Sequence, residues 1–79
     1  LAWKIELTEL VLKQLKKMGH NEAKRITHYL RKRIETLDDP RLLGKPLKGD
    51  LSNLWRYRVG DYRLICDINE NELIVLVVE

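Results

Sequence analysis

The stretch NLWRYRVGDYRLICDI places three arginines, Arg56, Arg58 and Arg63, in a segment that otherwise reads as two β-strands. Gly60-Asp61 between alternating runs is a two-residue hairpin signal. With those two residues as the loop, Val59 pairs with Tyr62, Arg58 with Arg63, Tyr57 with Leu64 and Arg56 with Ile65. Side chains alternate across a strand. Trp55, Tyr57, Val59, Tyr62, Leu64 and Cys66 therefore share one face, which must be covered, and Arg56, Arg58 and Arg63 share the other.

Two cations facing each other in a ladder repel, by about 1 kcal/mol in water at ~5 Å. Only Asp67 is a candidate acid on that face of the hairpin. The arrangement makes sense if the counter-charge comes from outside. Guanidinium forks match phosphate oxygens two at a time, so a phosphodiester is the expected ligand. Two plainer readings compete: a solvated sheet face whose arginine stems cover apolar surface, and a docking site for an acidic protein. Lys45 and Lys48 precede the hairpin and extend the basic surface, though each alone reads as an ordinary loop lysine. Between Arg41 and Arg63 fall six of the fifteen cations but only two of the twelve acids. Such concentration is the footprint of an anionic partner.

His20 and His28 invite an RNase-type acid–base pair. His20 falls between two helices and His28 lies off the apolar stripe, so both read as surface residues remote from the arginine face. Cys66 lies on the apolar face and reads as core packing. No cysteines or histidines stand at metal-ligand spacing, and there is no phosphate-cradling glycine loop or nucleophile elbow. Neither a metal nor a cofactor is expected.

The elements that must position the arginines follow from the pattern. AWKIEL alternates as a short strand. Thr8 offers an N-cap, ELVLKQLKKM puts Val11, Leu15 and Met18 on one helical face, and Gly19 ends that helix. Asn21 is the expected cap of a second helix, with Ala23, Ile26, Leu30, Ile34 and Leu37 on its buried stripe and Asp38-Asp39-Pro40 as its stop. The eight cations of KQLKK, AKR and RKR read mainly as solvated helix face, or as a dock for an anionic partner. PRLLGKPLKGDLSN reads as an irregular connection. The hairpin strands follow, then a turn at NENE and the apolar LIVLVV, expected to be central, covered on both sides and beside the first strand. The fold class is α+β, in the order β-α-α-β-β-β, with a helical hairpin on one face of a small, mostly antiparallel sheet.

Seventy-nine residues make one domain, 1–79. One cysteine precludes an internal disulfide and suggests a reducing, cytoplasmic setting. The longest apolar run is far too short to cross a membrane as a helix.

From Asp38 to Glu79, and above all in KPLKG…WRYRVGDYRLI, the sequence resembles the RelE toxins of bacterial toxin–antitoxin pairs, within the wider RelE/ParE superfamily. AWKIELTELVLKQLKKM resembles the family's first strand and helix. The resemblance implies a ribosome-dependent endoribonuclease (an mRNA interferase) that cuts translated mRNA by attack of a ribose 2′-OH on the adjacent phosphate. Its partners would be mRNA, the ribosome and a RelB-like antitoxin that folds on binding. Arg56 and Arg58 match basic strand positions that are often lysine in the family, Arg63 matches its arginine after the Gly-x-Tyr-type turn, and Lys48 matches a basic residue before the hairpin. These three arginines are the implied catalytic set, with Arg41, Lys45 and Lys48 as RNA- or ribosome-binding residues. Arginine in place of lysine favours charge stabilisation over proton abstraction. The resemblance also implies a further segment beyond Glu79, carrying a basic stretch and a tyrosine, that completes the site. Two other functions fit the same fold: a ParE-like toxin acting on DNA gyrase, and a catalytically impaired antitoxin-binding module.

Overall fold

A computed structural model describes residues 3–49 and 53–79 of the chain. Strand β1 (Lys4–Leu7) leads to helix α1 (Glu9–Met18) and helix α2 (His20–Tyr29), which continues as one widened π-helical turn, Leu30–Ile34. After a short 3-10 turn (Pro40–Leu42) come β2 (Lys45–Pro46), β3 (Leu54–Val59), β4 (Tyr62–Asn69) and β5 (Glu72–Val78). The five strands form one sheet in the order β1-β5-β4-β3-β2, with β1 parallel to β5 and every other pair antiparallel. This is the expected α+β fold with one strand more. The additional strand, β2, lies in the segment read as irregular, and the two residues that pair there leave little periodicity to read.

Both helices cover one sheet face. Val11 and Leu15 of α1, with Ile26, Leu30 and Ile34 of α2 and its extension, pack into one core with Tyr57, Val59, Leu64, Cys66, Ile68, Leu73, Val75 and Val78. Among the described residues the other face carries no helix, which corrects the expectation for β5. That strand is second from the edge. Leu73, Val75 and Val78 are buried, but Ile74 and Val77 on the open face stay half-exposed.

The helix ends depart from expectation at one point. Thr8 does cap α1, its hydroxyl accepting from the Val11 N–H at 3.2 Å and donating to the Leu76 carbonyl at 3.1 Å. Asn21 does not cap α2. The second helix starts at His20, and Gly19 alone (φ +92°) makes the corner. A left-handed φ at that one residue reverses the chain without the longer turn that a polar cap would need.

Past the end of β1, the edge of β5 is closed by side chains. Gln14 donates to the Val78 carbonyl at 2.7 Å and accepts from the Val78 N–H at 2.9 Å, replacing a missing strand. Substituting Gln14→Ala should leave both backbone groups unpaired at a half-buried site, a loss of about 1–3 kcal/mol. Urea titration should register it, together with faster hydrogen exchange at Val78.

Candidate functional site

The hairpin register is as expected: Arg58 opposite Arg63, Arg56 opposite Ile65, and Val59 opposite Tyr62 across Gly60-Asp61. Arg63 exchanges both backbone hydrogen bonds with Glu79 on its other side, at 2.8 and 2.9 Å. The Arg58–Arg63 pair is therefore a non-hydrogen-bonded one, whose Cα atoms stand only about 4.5 Å apart. By the same parity the main-chain N–H and C=O of Arg58 point away from β4. Strand β2 pairs only with Trp55 and Arg56, so it stops short of them.

At that open edge lies a cleft of about 450 Å³ lined by Tyr29, Leu43, Gly44, Lys45, Arg56, Tyr57, Arg58 and Arg63. Among the described residues four cations line it and no carboxylate does. Gly44 makes the close fit possible. Its φ is +79°, and a Cβ there would come within 2.6 Å of the Tyr57 ring and 2.7 Å of the Arg56 carbonyl. Tyr57 is buried, its hydroxyl donating to the Pro40 carbonyl at 2.8 Å. Tyr29 meets it edge-on, with ring centroids 6.5 Å apart. Burial raises the pKa of both phenols, so both stay protonated at neutral pH. Cys66 is wholly buried and its thiol is pushed up to about 12, which makes it inert.

The arginines are not all unpaired. The Arg63 guanidinium lies 3.3 Å from the Glu79 carboxylate, an internal counter-ion where none but Asp67 was expected. No carboxylate among the described residues comes within ion-pair distance of Arg56 or Arg58. The Arg58 Nε donates to the Gly60 carbonyl, at 3.3 Å. Lys45 joins the cluster. Lys48 is exposed and is not among the residues that line this cleft, and Arg41 is held elsewhere, 3.3 Å from Asp39 and over the Trp3 ring.

A second groove, of about 400 Å³, is lined by Arg25, His28, Tyr29, Arg33, Arg58, Val59 and Gly60. His28 thus borders the groove that Arg58 lines, contrary to the reading that it stands remote from the arginines. Arg25 packs against the hairpin turn, close enough that a Cβ on Gly60 would meet its guanidinium at 2.7 Å. Arg33 lies over the Tyr29 ring, 5.8 Å from its centroid. Tyr29 escaped the sequence reading, which took Arg25 and Arg33 only as part of the basic helix face, because helical periodicity marks all three as off the core stripe without saying which sheet edge they overhang. His20 lies apart, with Leu12, Leu15, Lys16, Gly19 and Ala23 in an apolar groove between the helices. Among the described residues no group of three or more His, Cys, Asp or Glu is placed to hold a metal ion. Among the same residues no helix is long and apolar enough to cross a membrane.

The model of the family described as "ParE toxin of type II toxin-antitoxin system, parDE" matches residues 5–79. The chain belongs to that family. It is a toxin of the type II toxin–antitoxin class, within the RelE/ParE superfamily. No curated protein matched the sequence. Among solved structures, this ParE-family toxin is similar to a chain of the RelBE2 toxin–antitoxin complex from Mycobacterium tuberculosis, at 21% identity and TM-score 0.86, covering 100% of this chain and 98% of that one. It is also similar to a chain of the archaeal RelE–RelB complex from Pyrococcus horikoshii, at 25% identity and TM-score 0.74, covering 100% and 94%. The YoeB/ParE toxin from Agrobacterium tumefaciens is similar at 19% identity and TM-score 0.60, covering 96% and 95%.

Proposed function

We propose that this toxin is a ribosome-dependent endoribonuclease that cleaves translated mRNA at the Lys45–Arg56–Arg58–Arg63 cleft. The observation that carries the reading is four cations lining one cleft that, among the described residues, no carboxylate lines, with two tyrosines beside them. In the reaction the ribose 2′ oxygen bonds to the adjacent phosphorus as the P–O5′ bond breaks, leaving a cyclic phosphate and a 5′-hydroxyl. One proton leaves the 2′-OH for water and another reaches the departing oxygen. Arginine cannot accept a proton near neutrality. Arg56, Arg58 and Arg63 act instead on the negative charge that builds on the phosphoryl oxygens, the Arg58 main-chain N–H adding a donor at the open edge. The partners of this activity are mRNA, the ribosome and a RelB-like antitoxin that closes the cleft. It belongs to the cytoplasm, where translation occurs. Primer extension on mRNA translated with purified toxin should reveal cuts within codons, and uncut message would reject the proposal.

In this scheme Glu79 competes with phosphate for Arg63. Both partners of that pair are about half exposed, so the pair contributes at most about 1 kcal/mol. Glu79→Gln should therefore tighten binding of a non-cleavable RNA oligonucleotide up to about fivefold at low salt, with the gain vanishing at high salt. Fluorescence anisotropy at two ionic strengths measures it.

A second reading has one observation of its own: the matching family is described by its ParE member. A ParE-like toxin would act on DNA gyrase. Inhibition of gyrase supercoiling, with translated mRNA intact, would select it.

A further inference from the structure

The two basic grooves are not separate places. The cleft at the β3 edge and the groove beneath α2 have Tyr29 and Arg58 in common. The first includes Arg56, Arg58 and Arg63 of the basic sheet face; the second joins Arg25, His28 and Arg33 of α2 and its extension to Val59 and Gly60 at the hairpin turn. Among the described residues neither is lined by a carboxylate. Arg25 and Arg33 come from a helix whose cations otherwise face solvent, yet both are drawn to this edge, Arg25 onto Gly60 and Arg33 onto the Tyr29 ring. We infer that the α2 groove is a second binding site for single-stranded RNA, holding nucleotides that flank the step bound at Arg56 and Arg58, so that one strand passes around the sheet edge over Tyr29. This rests on the proposed RNA-directed function and adds to it a longer footprint and the residues that read it.

The chemistry favours a nucleic-acid strand over a peptide. An added β-strand needs a run of outward backbone groups, whereas β2 already occupies the edge opposite Trp55 and Arg56 and leaves only those of Arg58 beyond it. Guanidinium planes and an aromatic ring at the junction suit bases, which stack, and phosphates, which bridge to the forks. His28, exposed in the same groove, adds a further stacking ring.

The test uses the whole chain and fluorescein-labelled 2′-O-methyl oligouridylates of about two and about eight nucleotides, which cannot be cleaved through the 2′ oxygen. The wild type should bind the longer probe more tightly and with a steeper salt dependence. Each phosphate neutralised adds ~0.7 to the slope of log affinity against log salt. The double variant Arg25→Gln/Arg33→Gln, which keeps the aliphatic stems packed, should lower affinity for the long probe by roughly tenfold and its slope by ~1.4, leaving the short probe unchanged. Equal binding of both probes by the wild type, or an equal effect of the double variant on both, overturns the inference. So does loss of poly-glutamate binding with RNA binding intact, which would assign the groove to an acidic protein. Failure of the parent reading looks different: Arg56→Ala/Arg58→Ala would leave the short probe bound as before.

Discussion

Replacing Arg58 by alanine is expected to slow cleavage of translated mRNA by about 10²–10³-fold, the usual cost of deleting a donor aimed at developing charge. Among the three arginines it should matter most. It lines both grooves, whereas Arg56 lines one, and Arg63 is already engaged by Glu79. Among the described residues its side chain holds nothing else in place. The residue is exposed, and the one hydrogen bond its side chain makes among the described residues is the long contact to the Gly60 carbonyl. Truncation should change stability by no more than about 0.5 kcal/mol, because the lost contact is offset by relief of repulsion from Arg63. Arg58→Lys keeps the charge but loses the two-pronged geometry, and should recover only part of the rate. Primer extension gives the rates and thermal denaturation shows whether the fold is intact. Wild-type cleavage by the Arg58→Ala protein would remove Arg58 from the reaction.

The largest effect on stability is expected at Tyr57. This side chain is 1% exposed and fills the space between the β3 edge, α2 and the Pro40 turn. Tyr57→Ala should cost about 3–5 kcal/mol, combining lost burial with the cavity left behind. The whole stability of a chain this size is expected to be only about 4–12 kcal/mol. A fall in Tm on the order of 20 °C follows. Tyr57→Phe, which fills the cavity but abandons the Pro40 carbonyl, should cost only about 1 kcal/mol. The two variants separate shape from hydrogen bonding, and calorimetry on both is the measurement. Near-equal losses would mean that the hydroxyl contact, rather than packing, holds the turn to the sheet.

The consequences of Tyr57 reach the cleft. Its ring forms part of the cleft wall and sets how closely Gly44 can approach β3. The arginine surface is therefore held stiff from beneath by the core, and destabilising the core should loosen the site before the chain unfolds globally.

Much of this was readable from residue order. The β3–β4 register follows from a two-residue Gly-Asp loop, which fixes the parity of every side chain behind it. The arginine face is a direct consequence. Glu79 was not readable, and the reason is specific. Counting back from the Glu70-Asn71 turn, an unbroken ladder would set Arg63 opposite Val78. A bulge between Ile65 and Cys66 leaves Leu76 without a partner, shifts the register by one residue, and brings Glu79 opposite Arg63 instead. Nothing local in the β5 sequence announces that extra residue.

What the sequence alone determined was local and periodic: strand parity, helical stripes, the Thr8 cap and a three-arginine face. These follow from backbone geometry repeating over a few residues. Tertiary packing alone decided where the off-stripe side of α2 would lie. It set Arg25, His28, Tyr29 and Arg33 against Arg58, across a sequence separation that no short-range rule spans. It also decided which edge of β3 stays open, because β2 is only two residues long and held by its pairing to Trp55 and Arg56. Charges separated along the chain become one surface only when a shared core fixes the distance between the elements that carry them.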